Sequence, residues 1–454
     1  MEIPHSKRLS RKSLAAILIG NATEWYDWAV YAYVAPQISA VFFPSGNATN
    51  SLLATFAVFA VAFFFRPVGG LLFGSLGDRI GRKRVLITVI LLMCLSSAAI
   101  GVLPSHASVG VVAPILLMLL RIFQGLSAGG EMGGATTYVS ESTDPRRRGR
   151  YVSYVPASSY IGLLIASLLV IGFRSGLGAD AFDNWGWRIL FLLSLPAGVL
   201  GLVMRRNLDE TSAFTELQDS GQVSKRPLRE SVVHDRSAIF RTVGLMVLMG
   251  FGTYTIMTYL SVYLVATSGY TQIEAQWITS GVLLAAFVGQ PYLGRLSDRF
   301  GRRRVMLVSA IALFVGAIPA FVVLQSSDVG TAATLAVAVV LSLIFVTYQA
   351  TSLTAMTELF STSRRLSGFN IGYNISIALF AGTAPFLSTY LIEALDTGTA
   401  PAFVLVVAAG LSLVTVFKLP ETAPVFISRE QQLPTAVAVS AGQGDQPAGT
   451  TGSR

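Results

Sequence analysis

Five ionisable side chains stand inside stretches that are otherwise apolar: Glu24, Asp27, Arg66, Arg121 and Glu131. A charge held in hydrocarbon is costly, and the default reading of one is that it handles protons, ions or solutes. Glu24 and Asp27 are spaced i,i+3 and project from neighbouring positions on one helix face. Counted at ~1.5 Å per residue from the Arg-rich end of each stretch, Glu24 lies ~18 Å deep, Asp27 ~22 Å, Arg66 ~16 Å and Glu131 ~18 Å. These four share one layer near the midplane, three acids with one base, and Arg121 lies further out along its own stretch. Two chemistries fit. The acids pair with Arg66 and lock helices together, or a carboxylate in a midplane cavity exchanges a proton or solute and its charge state moves helices. On the second reading Arg66 is a structural pair or an anion contact, and Asp27 or Glu131 is the proton site.

The second half of the chain offers polar but uncharged candidates in its apolar stretches. These are Tyr254, Thr258 and Tyr259, then Tyr348 and Gln349, then Asn370, Tyr373 and Asn374, with the two asparagines i,i+4 on one face. Hydroxyls and amides orient a solute without adding charge, and they also hydrogen-bond between helices. The first half therefore handles charge, and the second half helps to select the solute.

Positioning these groups requires membrane-spanning helices. Only 13% of the 454 residues are charged and 53% belong to the apolar set, where a soluble domain carries about 25% charge. A soluble multidomain enzyme is excluded. Twelve apolar stretches are long enough for the ~20 residues that cross a bilayer. Of the 33 Lys and Arg, 29 fall on alternate loops and at the two ends, which places both termini in the cytoplasm of a plasma or inner membrane. The net charge of +9 thus marks topology and implies no nucleic-acid partner. The polar segment 206–240 divides the chain into two six-helix halves, 1–205 and 241–419. A tail, 420–454, reads as largely disordered and lacks a heptad pattern. One cysteine and three scattered histidines imply neither a disulfide nor a metal site, and no phosphate-binding loop supports ATP drive. No cofactor is expected.

The pattern Gly-x-x-x-Asp-Arg-x-Gly-Arg occurs twice, 220 residues apart, after the second stretch of each half. It runs through Gly74, Asp78, Arg79, Gly81 and Arg82, and again through Gly294, Asp298, Arg299, Gly301 and Arg302. Glycines permit a tight turn and arginines remain at headgroup depth.

With this repeat the sequence resembles the major facilitator superfamily. Arg121-Ile-Phe-Gln-Gly-Leu-Ser-Ala-Gly-Gly-Glu131, Gly20-Asn-Ala-Thr-Glu-Trp-Tyr-Asp27 and Arg66-Pro-Val-Gly-Gly70 are similar to its metabolite:proton symporters. The resemblance implies an all-α fold of twelve transmembrane helices in two six-helix pseudo-repeats, working by alternating access as a monomer on a small solute and protons. It links Arg121 to proton coupling and puts the first-helix acids and Glu131 along the central region. It also makes the repeated motif a cytoplasmic gate. Asp78 meets nearby arginines and Arg82 reaches Glu141, with Asp298, Arg302 and Glu358 as the matching set. Within the family, Phe42-Phe-Pro-Ser-Gly-Asn47 and Thr258-Tyr-Leu-Ser-Val-Tyr-Leu-Val265 resemble alpha-ketoglutarate permeases, which favours a di- or tricarboxylate. Osmolytes such as proline and glycine betaine are the alternative, and drug efflux is a weaker third.

Overall fold

The computed structural model describes residues 11–80, 82–206, 232–360, 365–424 and 426. Among them there is no strand. In the first half six helical passes follow one another: α1 (Arg11–Tyr33), α2 (Ala48–Phe64 and Arg66–Ile80), α3 (Arg82–Val102), α4 (Val112–Ser127 and Glu131–Glu141), α5 (Tyr154–Leu177) and α6 (Trp187–Leu192 and Ser194–Arg206). The second half repeats the plan with α7 (Arg236–Gly252 and Leu260–Ser268), α8 (Gln272–Phe300), α9 (Arg302–Leu324), α10 (Thr331–Glu358), α11 (Arg365–Ser376 and Ala384–Leu395) and α12 (Ala400–Phe417). Eight helices among the described residues are long and apolar enough to cross a bilayer by themselves. The other passes are interrupted or flanked by charge. Most of segment 206–240 and the tail from 427 lie outside the described residues, and α7 begins at Arg236, ahead of the expected 241.

Interruptions fall where the passes approach the centre. In α4 a 3-10 turn at Ala128–Gly130 separates the two segments. In α7 and α11 a π-helical stretch intervenes, Thr253–Thr258 and Ile377–Ala381 respectively. Such irregular turns release backbone carbonyls from the regular ladder, and a buried carbonyl needs another donor. Those donors turn out to be site residues.

Small residues let α2 and α4 touch backbone to backbone. A methyl group placed on Gly69 would come within 1.8 Å of the Leu126 carbonyl oxygen, and one on Gly125 within 1.9 Å of that of Ala62. The same device joins the two halves where α5 meets α8. Gly149, just ahead of α5, and Gly294 of α8 each leave no room for a Cβ against the other's carbonyl. On α1, the Asn21 amide donates to Val155 O, Ser158 Oγ and Ser159 Oγ of α5 at 2.8–3.1 Å.

Candidate functional site: a buried charge layer beside a central cavity

One ion pair and one looser charge couple occupy the first half, about one helical turn apart on α1. Arg66, at the break in α2, donates from Nη2 to Glu24 Oε1 at 2.8 Å and to the Ala128 carbonyl at 3.1 Å. That carbonyl is one of those released by the 3-10 turn of α4. Both side chains are almost fully buried.

Asp27 belongs to a second set. Ser97 of α3 hydrogen-bonds its carboxylate, with the Arg121 guanidinium as the nearby positive charge. Ser97 Oγ in turn accepts from Gln124 Nε2 at 2.6 Å, and Gln124 Oε1 accepts from Arg121 Nη1 at 2.7 Å. A relay of short polar side chains thus links Asp27 to Arg121 across α1, α3 and α4. Asp27 Oδ2 and Arg121 Nε and Nη2 have no hydrogen-bond partner. What surrounds the Arg121 guanidinium instead is aromatic: ring centres of Tyr31 at 3.8 Å, Trp28 at 4.9 Å and Phe59 at 5.1 Å. The Trp28 ring also lies 5.4 Å from the Arg66 guanidinium, so one indole serves two cations.

Of the residues expected in one layer, Glu24 pairs with Arg66, while Asp27 has Arg121 as its nearby cation, so Arg121 joins the group. Depth along a helix says nothing about which face a side chain takes, and Arg121 comes within electrostatic reach of Asp27. Glu131 opens the second segment of α4 and is half-buried. Ser97 and Gln124 escaped the sequence reading because lone small polar residues in apolar helices usually bond to their own backbone.

Between the halves lies a central cavity of about 10 Å³, room for about one water. Trp25, Tyr160, Thr253, Tyr254, Gln349 and Tyr373 are among the residues that line it. Gln349 is the hub. Its Oε1 accepts from the Tyr160 hydroxyl of the first half and from Gln290 Nε2 at 3.3 Å, and its Nε2 donates to Thr253 Oγ1 at 3.2 Å. Tyr254 Oη is buried without a partner, and its ring packs on Trp25 at 6.0 Å between centres. The Glu24–Arg66 pair lies within electrostatic reach of the Tyr254 and Tyr373 hydroxyls.

Other candidates of the second half sit elsewhere. Tyr348 donates to the Leu245 carbonyl at 2.9 Å, and Tyr259 bonds Thr389 at 2.8 Å. These two tie helices together and do not line the cavity. Thr258 Oγ1 is buried without a partner at the end of the π turn. Asn374 donates to the Gly129 carbonyl of the broken α4 at 2.7 Å and to Asn370 O at 3.0 Å, while Asn370 packs into the space left by Gly133. The 3-10 turn of α4 thus presents one carbonyl to Arg66 and the next to Asn374.

Both ends of the cavity are closed. At the end carrying the repeated motif, Asp298 accepts from the backbone N–H of Gly149 at 2.8 Å and of Arg150 at 2.9 Å, and from Arg302 Nη1 at 2.7 Å. Arg302 also pairs with Glu358 at 3.3 Å, and Arg148 crosses to Glu358 at 3.4 Å. Glu141, expected to meet Arg82, is held by Arg365 of the other half at 2.8 Å. Gly301 turns the chain from α8 to α9 with φ +93°. Arg299 is exposed beside it. In the first copy of the motif Gly81 lies outside the described residues. Gly74, Asp78, Arg79 and Arg82 have helical backbone, and their side chains are likewise outside what is described. At the opposite end, Gln37 donates to Asp183 at 2.7 Å and across the halves to Gln272 at 3.0 Å. Tyr33 donates across to the Met257 carbonyl at 3.2 Å.

Two halves with repeated gate motifs, enclosing a central cavity beside buried charge, match known sequences along most of the chain. A proline/betaine transporter of Salmonella typhimurium is 37% identical over 427 residues, covering 91% of this chain and 84% of that protein. The chain belongs to the major facilitator superfamily. Residues 12–231 match the family model described as sugar (and other) transporter, and 242–442 match that of the superfamily itself. An ectoine/proline transporter of Corynebacterium glutamicum is 32% identical over 430 residues, covering 91% of this chain and 84% of its own length. Among solved structures, the xylose transporter XylE of E. coli, in a partially occluded inward-open conformation, superposes with a TM-score of 0.72 at 17% identity, over 90% of this chain and 98% of that one. The protein is a multi-pass membrane transporter of this superfamily and not an enzyme. These two relatives are named for proline, betaine and ectoine, and neither is named for a di- or tricarboxylate.

Proposed function

We propose that the protein imports a zwitterionic osmolyte, such as proline or glycine betaine, together with protons. The charge count of the buried layer carries this reading. Glu24 with Arg66 and Asp27 with Arg121 make two acids against two bases, leaving no surplus cation to neutralise a dicarboxylate. A zwitterion brings no net charge into such a layer. Its ammonium suits an aromatic lining of the kind Trp25, Tyr254 and Tyr373 provide, and its carboxylate suits hydroxyl and amide donors such as Tyr160, Thr253 and Gln349. The names of the relatives at 32–37% identity support the same solute class.

Asp27 is our choice for the proton site. Protonation there removes the counter-charge of Arg121, whose remaining neighbours are the Gln124 amide and aromatic rings, and so alters the balance holding α1, α3 and α4 together. The closed gates at both ends make this the occluded stage of alternating access, with the motif end facing the cytoplasm as the basic loops require. Counterflow in proteoliposomes tests the solute class. Labelled proline and glycine betaine are expected to exchange and 2-oxoglutarate to be ignored. Exchange of 2-oxoglutarate with neither zwitterion carried would overturn the reading.

A further inference from the structure

We infer that the headgroup of an anionic phospholipid binds in a second cavity, between α5 and α8 at the motif end. This cavity measures about 270 Å³ and is lined by Arg150, Tyr154, Phe287, Val288, Tyr292 and Arg295, together with Pro291. Arg150 precedes α5 in the first half, and Arg295 lies on α8 in the second, so an occupant touches both halves. Both arginines are exposed, and among the described residues neither guanidinium has an acidic partner.

Depth orders the lining as a phospholipid is ordered. Counting from the end of α8 at Phe300, Arg295 lies ~8 Å in, Tyr292 ~12 Å and Phe287 ~20 Å at the helical rise. Arginine thus stands at phosphate depth, tyrosine at the interfacial belt, and apolar side chains where acyl chains begin. The outer wall faces sideways from the bundle, with Tyr292 70% and Val288 53% exposed. A free phosphate uses the two guanidiniums but leaves Tyr292, Val288 and Phe287 without a role. A lipid phosphodiester uses the whole cavity.

The Arg150 main chain is also part of the seam, because its N–H donates to Asp298 Oδ2 at 2.9 Å. A headgroup bridging Arg150 to Arg295 therefore ties α5 to α8 next to the contact that closes this end.

Native mass spectrometry of the detergent-solubilised protein with added phosphatidylglycerol or phosphatidylcholine tests the site. Wild type is expected to retain one phosphatidylglycerol in preference to phosphatidylcholine. Arg150→Gln/Arg295→Gln is expected to weaken that retention roughly thirty-fold, the loss given by two arginines at a headgroup surface. The single variants, each expected to lose about fivefold, serve where the double variant does not purify as a folded protein. Arg236→Gln/Arg304→Gln removes equal charge from exposed positions outside the cavity and is expected to retain the lipid as wild type does. Equal loss in this control pair, or undiminished retention in the cavity variants, overturns the assignment. Soluble glycerol phosphate that binds wild type as strongly as the lipid does would show a free phosphate site and overturn it too.

Discussion

Trp28 lies against two guanidiniums, and each of those faces a different carboxylate of the same helix, α1. Exchanging the carboxylates for amides separates their roles. Asp27→Asn fixes the uncharged state permanently, and we expect it to abolish accumulation driven by a pH gradient while leaving solute exchange measurable in proteoliposomes. Glu24→Gln leaves Arg66 buried without its counter-ion, a loss of ~3–5 kcal/mol by analogy with broken buried pairs. Its first sign is therefore a lowered melting temperature in detergent. Should Asp27→Asn accumulate solute normally, Asp27 is structural and the proton is carried elsewhere.

Between the elements, packing rests on a few glycines whose absent Cβ decides the spacing. Gly125→Ala drives a methyl group to 1.9 Å from the Ala62 carbonyl oxygen, and α2 must move away from α4 at a cost of ~1–3 kcal/mol. Gly134 lies on the same pass with open space around its Cβ position, and Gly134→Ala should gain up to ~1 kcal/mol from helix propensity. Thermal unfolding of the two variants side by side checks the contrast, and equal shifts would refute the packing account. Hydropathy made the passes legible because a span must be long and apolar whatever it packs against. It could not reveal the π turns at Thr253–Thr258 and Ile377–Ala381, since neither stretch contains proline or glycine. Gly129 and Gly130 lie in the break of α4, but only the fold shows the Ala128 and Gly129 carbonyls meeting Arg66 and Asn374. Buried acids were legible as a class. Their partners were not, because Ser97, Gln124 and Arg365 are common residue types whose role comes from tertiary approach.

Considered as a whole, the molecule is two similar halves held shut at both ends by different chemistry. The motif end uses carboxylates on backbone N–H groups and arginines, whereas the opposite end uses the amides of Gln37 and Gln272 and the Tyr33 hydroxyl. Asp298→Ala removes the acceptor for two backbone N–H groups and an Arg302 contact, each worth ~1.5–3 kcal/mol when the acceptor is charged. That should shift the population towards opening at this end. A cysteine placed at Ser140, which bonds Thr357 across the seam at 3.0 Å, in a Cys94→Ser background, is then expected to react with maleimide at least ~10-fold faster. An unchanged rate would mean that Asp298 does not hold the seam.

The near-filled centre has a bioenergetic consequence. A void holding about one water is too small to hold, by itself, a file of water molecules along which hydronium could hop. With Asp27 3% exposed, we expect this closed form to pass little proton current without a turnover, which pH-jump traces from proteoliposomes lacking solute would check. A cell can then keep many copies of such a protein idle in its membrane and still hold its electrochemical gradient.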